Sequence, residues 1–328
     1  MIAVRVQGSS YSLAPRNLTT LTHGAERLAG GDLAARVDIK SGDEIGQLAK
    51  AFNRMAEDLK ENQQRTVEQE RLRKELEMCR KIQEELLPKQ PYRSGLVEIK
   101  GVSVPAREVG GDFFNYFPLP GGDLAMVVGD VSGKGLPAAL LMANLQATIH
   151  AKLPLELDLA KLAAQLDQDI AAATPPEHYL TLFLAVLETG GRVLRYVNAG
   201  HNPQFAIRSS GAVERLESSG RPLGLLPGGE YANMLTQLND GDSLFFYTDG
   251  LVEAENATGE ELGMSRLEAL LLENRAAGLE GVLARIEAAV ADHRGRIEAA
   301  DDATMVLVRL GRTETVESEE SAAILASP

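Results

Sequence analysis

A chain of 328 residues and 35.3 kDa is long enough for one large or two to three small domains with real hydrophobic cores, which excludes a miniature disulfide-stapled protein. Its 44% hydrophobic and 24% charged residues are those of folded domains, not of a disordered chain. The 47 acidic against 33 basic residues leave a formal charge of −14, which repels a phosphate backbone and removes nucleic acid as a default partner. The lone Cys79 cannot form an intrachain disulfide, so the expected compartment is the cytoplasm. No stretch approaches the ~20 apolar residues of a membrane span, and Met1 to Ser10 lacks the apolar core of a signal peptide.

Along the chain, Leu18, Leu21, Ala25 and Leu28 form a helical apolar stripe that ends at Gly30-Gly31, a pair suited to a helix C-terminus. After a connector carrying Leu33, Val37 and Ile39, Ser41 and Glu44 stand at capping-box spacing ahead of Ile45, Leu48, Phe52, Met55 and Leu59. Two short helices cannot bury both stripes by themselves, and the economical solution is a parallel bundle with a second copy of the chain. The seam then loses phase, because positions 62, 66, 69 and 73 are Asn, Thr, Gln and Arg. It restarts at Leu72, Leu76, Cys79, Ile82 and Leu86. Such a break suits either a solvated spacer or an element with two packings of similar energy. Pro88 and Pro91 end the helix.

From residue 97 the pattern changes to short apolar runs between turns. Strands are expected at 97–104, 124–128, 180–187, 193–197, 204–207, 243–248 and 303–309, with hairpin loops at Thr189-Gly190-Gly191 and Ser209-Ser210-Gly211. Helices are expected at 137–150, 158–173, 263–273 and 280–293. Hairpins rather than strict strand–helix alternation predict an α+β fold of antiparallel sheets covered by helices. The tail from Thr313 is acidic in its first half and is expected to be disordered.

Aspartates stand where core strands meet loops. Asp112 lies in Gly110-Gly111-Asp112, Asp130 follows the run Leu124 to Val128, Asp249 ends the run Leu244 to Tyr247, and Asp301-Asp302 precedes Met305 to Val308. Any one of them reads first as a turn former, and Asp112, Asp130 and Asp249 each stand beside a glycine. Jointly, carboxylates on the ends of strands that can converge form the oxygen-rich donor set that Mg²⁺ and Mn²⁺ require. Four carboxylates balance two divalent ions, and the Val131 carbonyl is available as a further ligand. Two such ions can lower the pKa of a shared water and hold both oxygens of a phosphoryl displacement.

Competing chemistries are weaker. Ser132-Gly133-Lys134 fails as a P-loop because the glycine spacing is short and Gly135 replaces the Ser/Thr. The five histidines show no close-paired spacing, so zinc is disfavoured, and no Gly-x-Ser-x-Gly elbow occurs. His201 in Ala199-Gly200-His201-Asn202-Pro203 reads as turn-structuring rather than as a general acid. Arg107 and Arg221 are the candidates for binding a substrate phosphate, each set against a solvated-surface reading.

These segments together carry a resemblance. Gly110-Gly111-Asp112, Gly129-Asp130-Val131-Ser132-Gly133-Lys134-Gly135, Ala199 to Pro203, Tyr247-Thr248-Asp249-Gly250 and Asp301-Asp302-Ala303-Thr304 follow in the order of the PPM-type metal-dependent serine phosphatases of the bacterial SpoIIE-like group. Ile82 to Pro88 resembles the segment that enters that domain, and residues 13–60, with Pro15 and Asp43-Glu44-Ile45-Gly46, resemble a HAMP signalling domain. The resemblance implies a HAMP helical bundle over 13–60, a coiled-coil linker over 61–94, an α-β-β-α sandwich phosphatase domain over 95–311 and a disordered tail over 312–328. It implies two Mn²⁺ or Mg²⁺ ions held by Asp112, Asp130, Val131, Asp249 and Asp301, with Asp130 bridging and Asp302 ranked lower. The family often has an acidic residue where Asn115 stands.

The implied activity is removal of phosphate from serine or threonine on a protein, typically a phosphorylated STAS-domain anti-sigma-factor antagonist, by water attacking phosphorus directly. The implied assembly is a homodimer through the HAMP and linker helices. HAMP domains usually follow a membrane helix, so the chain is expected to be the cytosolic part of a receptor whose membrane segment lies outside it, or a soluble version. The alternatives are a catalytically weak module that sequesters a partner and a different two-metal phosphoester hydrolase.

Overall fold

The computed structural model describes residues 13–175, 178–188, 192–226 and 228–311; the hairpin loop expected at 189–191 and the tail expected from Thr313 lie outside them. The first stripe forms α1 (Leu13–Ala29), which stops where Gly31 takes a φ of 94° and Asp32 N–H returns to the Arg27 carbonyl. The second seam opens α2 (Glu44–Leu86), continuous through the polar stretch. Its start differs from the expected capping box. Asp43, not Ser41, caps the helix, its Oδ1 accepting the Ile45 and Gly46 amides at 3.1 Å each.

Two compact units divide the chain, Met1–Glu75 and Leu76–Pro328. In the first, Val37, Ala49 and Phe52 form a small core with Leu21, Leu28 and Ile39. Asn53 fixes the connector by pairing its side-chain amide with both the N–H and the carbonyl of Val37, at 2.8 Å each. The other side of the seam stays uncovered within the chain: Leu48, Met55 and Leu59 are 51%, 48% and 45% exposed. No helix of the described residues is long and apolar enough to cross a membrane.

In the second unit the short apolar runs form two antiparallel sheets. One has the order β1 (Tyr92–Ser94), β2 (Val97–Val104), β11 (Ala303–Leu310), β10 (Ser243–Tyr247), β7 (Gln204–Ile207), β8 (Val213–Leu216). The other has the order β3 (Phe113–Pro118), β4 (Leu124–Val131), β5 (Leu180–Glu188), β6 (Val193–Ala199), β9 (Met234–Gln237). Central strands are apolar on both faces, and alternation decides which layer each side chain enters. Leu244, Phe246, Val306 and Val308 meet Met126, Val128 and Phe183 between the sheets. Phe245, Tyr247, Met305 and Leu307 face α5 (Met264–Asn274) and α6 (Leu279–Arg294). Ala125, Val127 and Leu184 face α3 (Leu136–Lys152) and α4 (Leu159–Ala173). The result is the expected α-β-β-α sandwich.

Candidate active site

The antiparallel ladders deliver the aspartates in pairs. Pairing of Phe113 with Gly129 in β3–β4 sets Asp112 beside Asp130 on one sheet. Pairing of Tyr247 with Met305 in β10–β11 sets Asp249, the first residue of a 3-10 turn (Asp249–Leu251), near Asp301-Asp302 on the other. Two hydrogen bonds join the sheets at this end. Thr248 Oγ1 donates to Asp112 Oδ2 at 2.6 Å while accepting the Thr304 amide at 3.0 Å, and Asp302 Oδ2 accepts the Gly111 amide at 2.7 Å.

The carboxylates share one electrostatic field. Asp112, only 4% exposed, is held well above the usual carboxylate range by burial and then by the charge of Asp130. Asp130 is pushed up to about 7 by burial and then by Asp249 and Asp301, and Asp249 is raised by burial and then by Asp301. Lys134 touches this group, its Nζ 3.2 Å from Asp301 Oδ2 and donating to the Ala300 carbonyl. Among the described residues no three Asp, Glu, His or Cys side chains are drawn together at the spacing of a closed metal cluster.

The donor set nevertheless fits divalent cations. It is all oxygen, its negative charge outweighs the single lysine, and repulsion among its buried members is what a divalent ion would relieve. A side chain on Gly111 would bring a Cβ to 2.6 Å from the Val131 oxygen, so that carbonyl faces the loop carrying Asp112.

Asp302 has a different place. It is 8% exposed, its Oδ1 accepts the Ala106 amide at 2.7 Å, and its Oδ2 accepts the Gly111 amide and, at 3.5 Å, the Asp112 amide. It is the anchor of the loop that carries Asp112. Thr248 was not singled out from sequence, although it stands next to Asp249 in Thr-Asp-Gly, and a hydroxyl beside a strand-end carboxylate is the available signal.

His201 is buried, and burial pushes its imidazole down to about 4, leaving it neutral. Its ring nitrogens meet Thr181 Oγ1 at 2.6 Å and the Tyr247 carbonyl at 3.0 Å, a cross-sheet tie rather than a proton donor to substrate. Arg107 is exposed, and Arg221 donates to the Leu226 carbonyl within its own loop. Asn115 Oδ1 accepts the amide of its neighbour Tyr116 at 2.8 Å. A cavity of about 180 Å³ opens beside Asp301 and Gly250, with Glu253, Glu261 and Arg294 in its walls.

The family profile described as Stage II sporulation protein E (SpoIIE) matches residues 120–311, and that of the HAMP domain matches 16–61. Protein IcfG of Synechocystis sp. is 31% identical over 321 residues, covering 88% of this chain and 50% of its own length. Phosphoserine phosphatase RsbU of Bacillus subtilis is 24% identical over 192 residues, covering 58% of this chain and 57% of its own. This chain thus spans about half the length of these curated relatives. Among solved structures, the SiaA-PP2C domain of Pseudomonas aeruginosa aligns with a TM-score of 0.66 at 23% identity, over 74% of this chain and 98% of that one, a likeness of fold.

Proposed function

Because the chain belongs to the Stage II sporulation protein E (SpoIIE) family, we propose that it is a metal-dependent phosphatase of phosphoserine or phosphothreonine on a protein, regulated through its HAMP domain. The observation that carries this reading is the meeting of Asp112 and Asp130 from one sheet with Asp249 and Asp301 from the other. These four carboxylates and the Val131 carbonyl would hold two Mn²⁺ or Mg²⁺ ions. When bound, such ions supply positive charge to the phosphoryl oxygens and activate water.

The remaining work falls to the chain itself. Thr248 fixes one oxygen of Asp112 by donating its hydroxyl to Oδ2. Asp302 holds the backbone that leads into Asp112. Lys134 places the contacting cation beside Asp301, where an anionic phosphoester would arrive. Neutral His201 ties β5 to the end of β10 without adding charge.

The likeness to RsbU, named a phosphoserine phosphatase, supports a phosphoserine-bearing protein as the substrate, and the resemblance of the motifs implies that it is a phosphorylated STAS-domain anti-sigma-factor antagonist. The exposed Leu48, Met55 and Leu59 support a homodimer in which a second copy covers the seam. The HAMP match supports a place in cytoplasmic signalling, as part of a membrane receptor or as a free protein.

The test is phosphate release from a phosphoserine-bearing STAS-domain protein, with Mn²⁺ and with chelator, for the wild-type chain and Asp249→Asn. Manganese-dependent release, lost in the variant, is expected. A folded, Mn²⁺-binding wild type that captures the substrate without turnover would replace this reading with a sequestering module. Hydrolysis of cyclic nucleotides but not phosphoproteins would replace it with another two-metal hydrolase.

A further inference from the structure

The last turns of α2 reach the loop that carries Asp112. Gln83 Nε2 donates to the Gly110 carbonyl at 2.6 Å, and the Gly110 amide donates to Gln83 Oε1 at 3.2 Å. One side-chain amide thus satisfies both backbone groups of a buried glycine 27 residues away in the chain. The next amide, Gly111 N–H, goes to Asp302.

The two residues before Asp112 have no side chains with which to hold themselves. A Cβ on Gly110 would stand 2.1 Å from Asp302 Oδ2, and one on Gly111 would stand 2.6 Å from the Val131 oxygen. The segment is therefore fixed from outside, by Asp302 on one side and by Gln83 on the other. The helix end has a second, separate tie: Gln146 of α3 donates to the Leu86 carbonyl at 2.6 Å.

We infer that Gln83 is a positioning residue for the carboxylate site: it sets the backbone at Gly110-Gly111, and through it the direction in which Asp112 is presented to Asp130. The inference rests on the metal-dependent phosphatase reading for its chemical consequence, but its structural part stands without metal. The pair also makes the site answer to α2. A helix advances about 100° and 1.5 Å per residue, so a shift of even one step carries Gln83 out of reach of Gly110.

The test uses the full chain and three variants: Gln83→Met, which keeps the shape without hydrogen bonds; Gln83→Glu, which keeps only the acceptor for the Gly110 amide; and Gln146→Met, which cuts the other tie and leaves Gly110 alone. Amide exchange of the segment 108–113 is measured in chelator, Mn²⁺ affinity by calorimetry, and kcat and KM on p-nitrophenyl phosphate at saturating Mn²⁺. In Gln83→Met, exchange is expected to be at least tenfold faster, Mn²⁺ affinity to fall about tenfold and kcat to fall with KM within twofold, as for loss of a residue that orients a ligand. Gln83→Glu is expected to be intermediate, and Gln146→Met to leave exchange at 108–113 and Mn²⁺ affinity within twofold of wild type.

Unchanged exchange and affinity in folded Gln83→Met overturns the inference, as does an equal loss in Gln146→Met, which would mark a general docking effect. Failure of the phosphatase reading shows separately, as a wild-type chain that neither binds Mn²⁺ nor turns over phosphoester while exchange still separates the variants. If Gln83→Met does not fold, exchange and affinity in Gln83→Glu decide the question.

Discussion

Replacing Asp302 by alanine tests whether this carboxylate is an anchor. The change removes the acceptor of two short bonds, from Ala106 and Gly111 at 2.7 Å each, at a side chain 8% exposed. Hydrogen bonds to charged acceptors are worth about 1.5–3 kcal/mol each, and of the amides left behind Gly111 is buried and Ala106 half-buried, so the loss is about 3–6 kcal/mol. One effect opposes it. Asp302 also raises the carboxylates of Asp112 and Asp130, though in both cases burial outweighs it, so relief of repulsion recovers only part of the loss. In chelator the net destabilisation should be about 2–4 kcal/mol, and with Mn²⁺, where repulsion no longer counts against the wild type, it should be larger. Asp302→Asn keeps one acceptor and turns an amide donor toward the other N–H, so about half the loss is expected. The assay is urea unfolding of the full chain followed by far-ultraviolet circular dichroism, since the sequence has no tryptophan. A value for Asp302→Ala within about 1 kcal/mol of wild type in both conditions would refute the anchoring role.

Burial of neutral His201 gives a stability contribution with a definite sign. Its folded-state value lies near 4 against an ordinary 6.5, so the unfolded chain takes up the proton first as pH falls below 6.5. Stability from this group declines between pH 6.5 and about 4, by about 3 kcal/mol in full, and His201→Gln should lose that much less over the interval in parallel urea titrations. Gly250→Ala places a Cβ 1.9 Å from the Asp302 carbonyl oxygen, a backbone atom that cannot swing aside, so a cost of about 3 kcal/mol is expected; a melting temperature equal to wild type would contradict it. Making the seam continuous with leucine at Asn62, Thr66, Gln69 and Arg73 should lock one packing of α2 and move phosphatase activity at least threefold from wild type, and unchanged turnover would exclude a switch at the phase break.

Where burial and period agreed, the chain was legible: β2, β5, β7, β11 and the four helices after residue 130 lie within a few residues of their expected limits. Phe113 to Pro118 forms a strand absent from the expected set: the preceding Gly-Gly-Asp has turn composition, although the aromatic residues that follow have strand composition. Val213–Leu216 and Met234–Gln237 are edge strands of four residues, mostly exposed, whose identity comes from their partners β7 and β6 and not from their own pattern. Ser41 misled because its spacing to Glu44 imitates a capping box, while Asp43 sits one residue ahead of the helix and takes the amides. Asp112, Asp130 and Asp249 are visible through the glycines beside them, and Asp301 through the core strand it precedes. Thr248, Asp302 as an anchor and Gln83 were not, because each acts on backbone or carboxylate far away in sequence, 136, 191 and 27 residues respectively.

That separation explains how the site can be both rigid and adjustable. The pair Asp112 and Asp130 is set by one ladder and the pair Asp249 and Asp301 by another, so the spacing between pairs depends on what lies between the sheets. There the side chains are close-packed, with Phe183 and Phe246 ring centroids 4.9 Å apart, and such a core does not compress by fractions of an ångström without large cost. The sheets therefore fix the coarse separation, and fine adjustment falls to loops. Among these, the loop entering Asp112 is held by groups from two distant places, Asp302 inside the sandwich and Gln83 on α2. An input that moved α2 would thus reach the carboxylates through the part of the site that can yield, while the part that cannot yield keeps the fold.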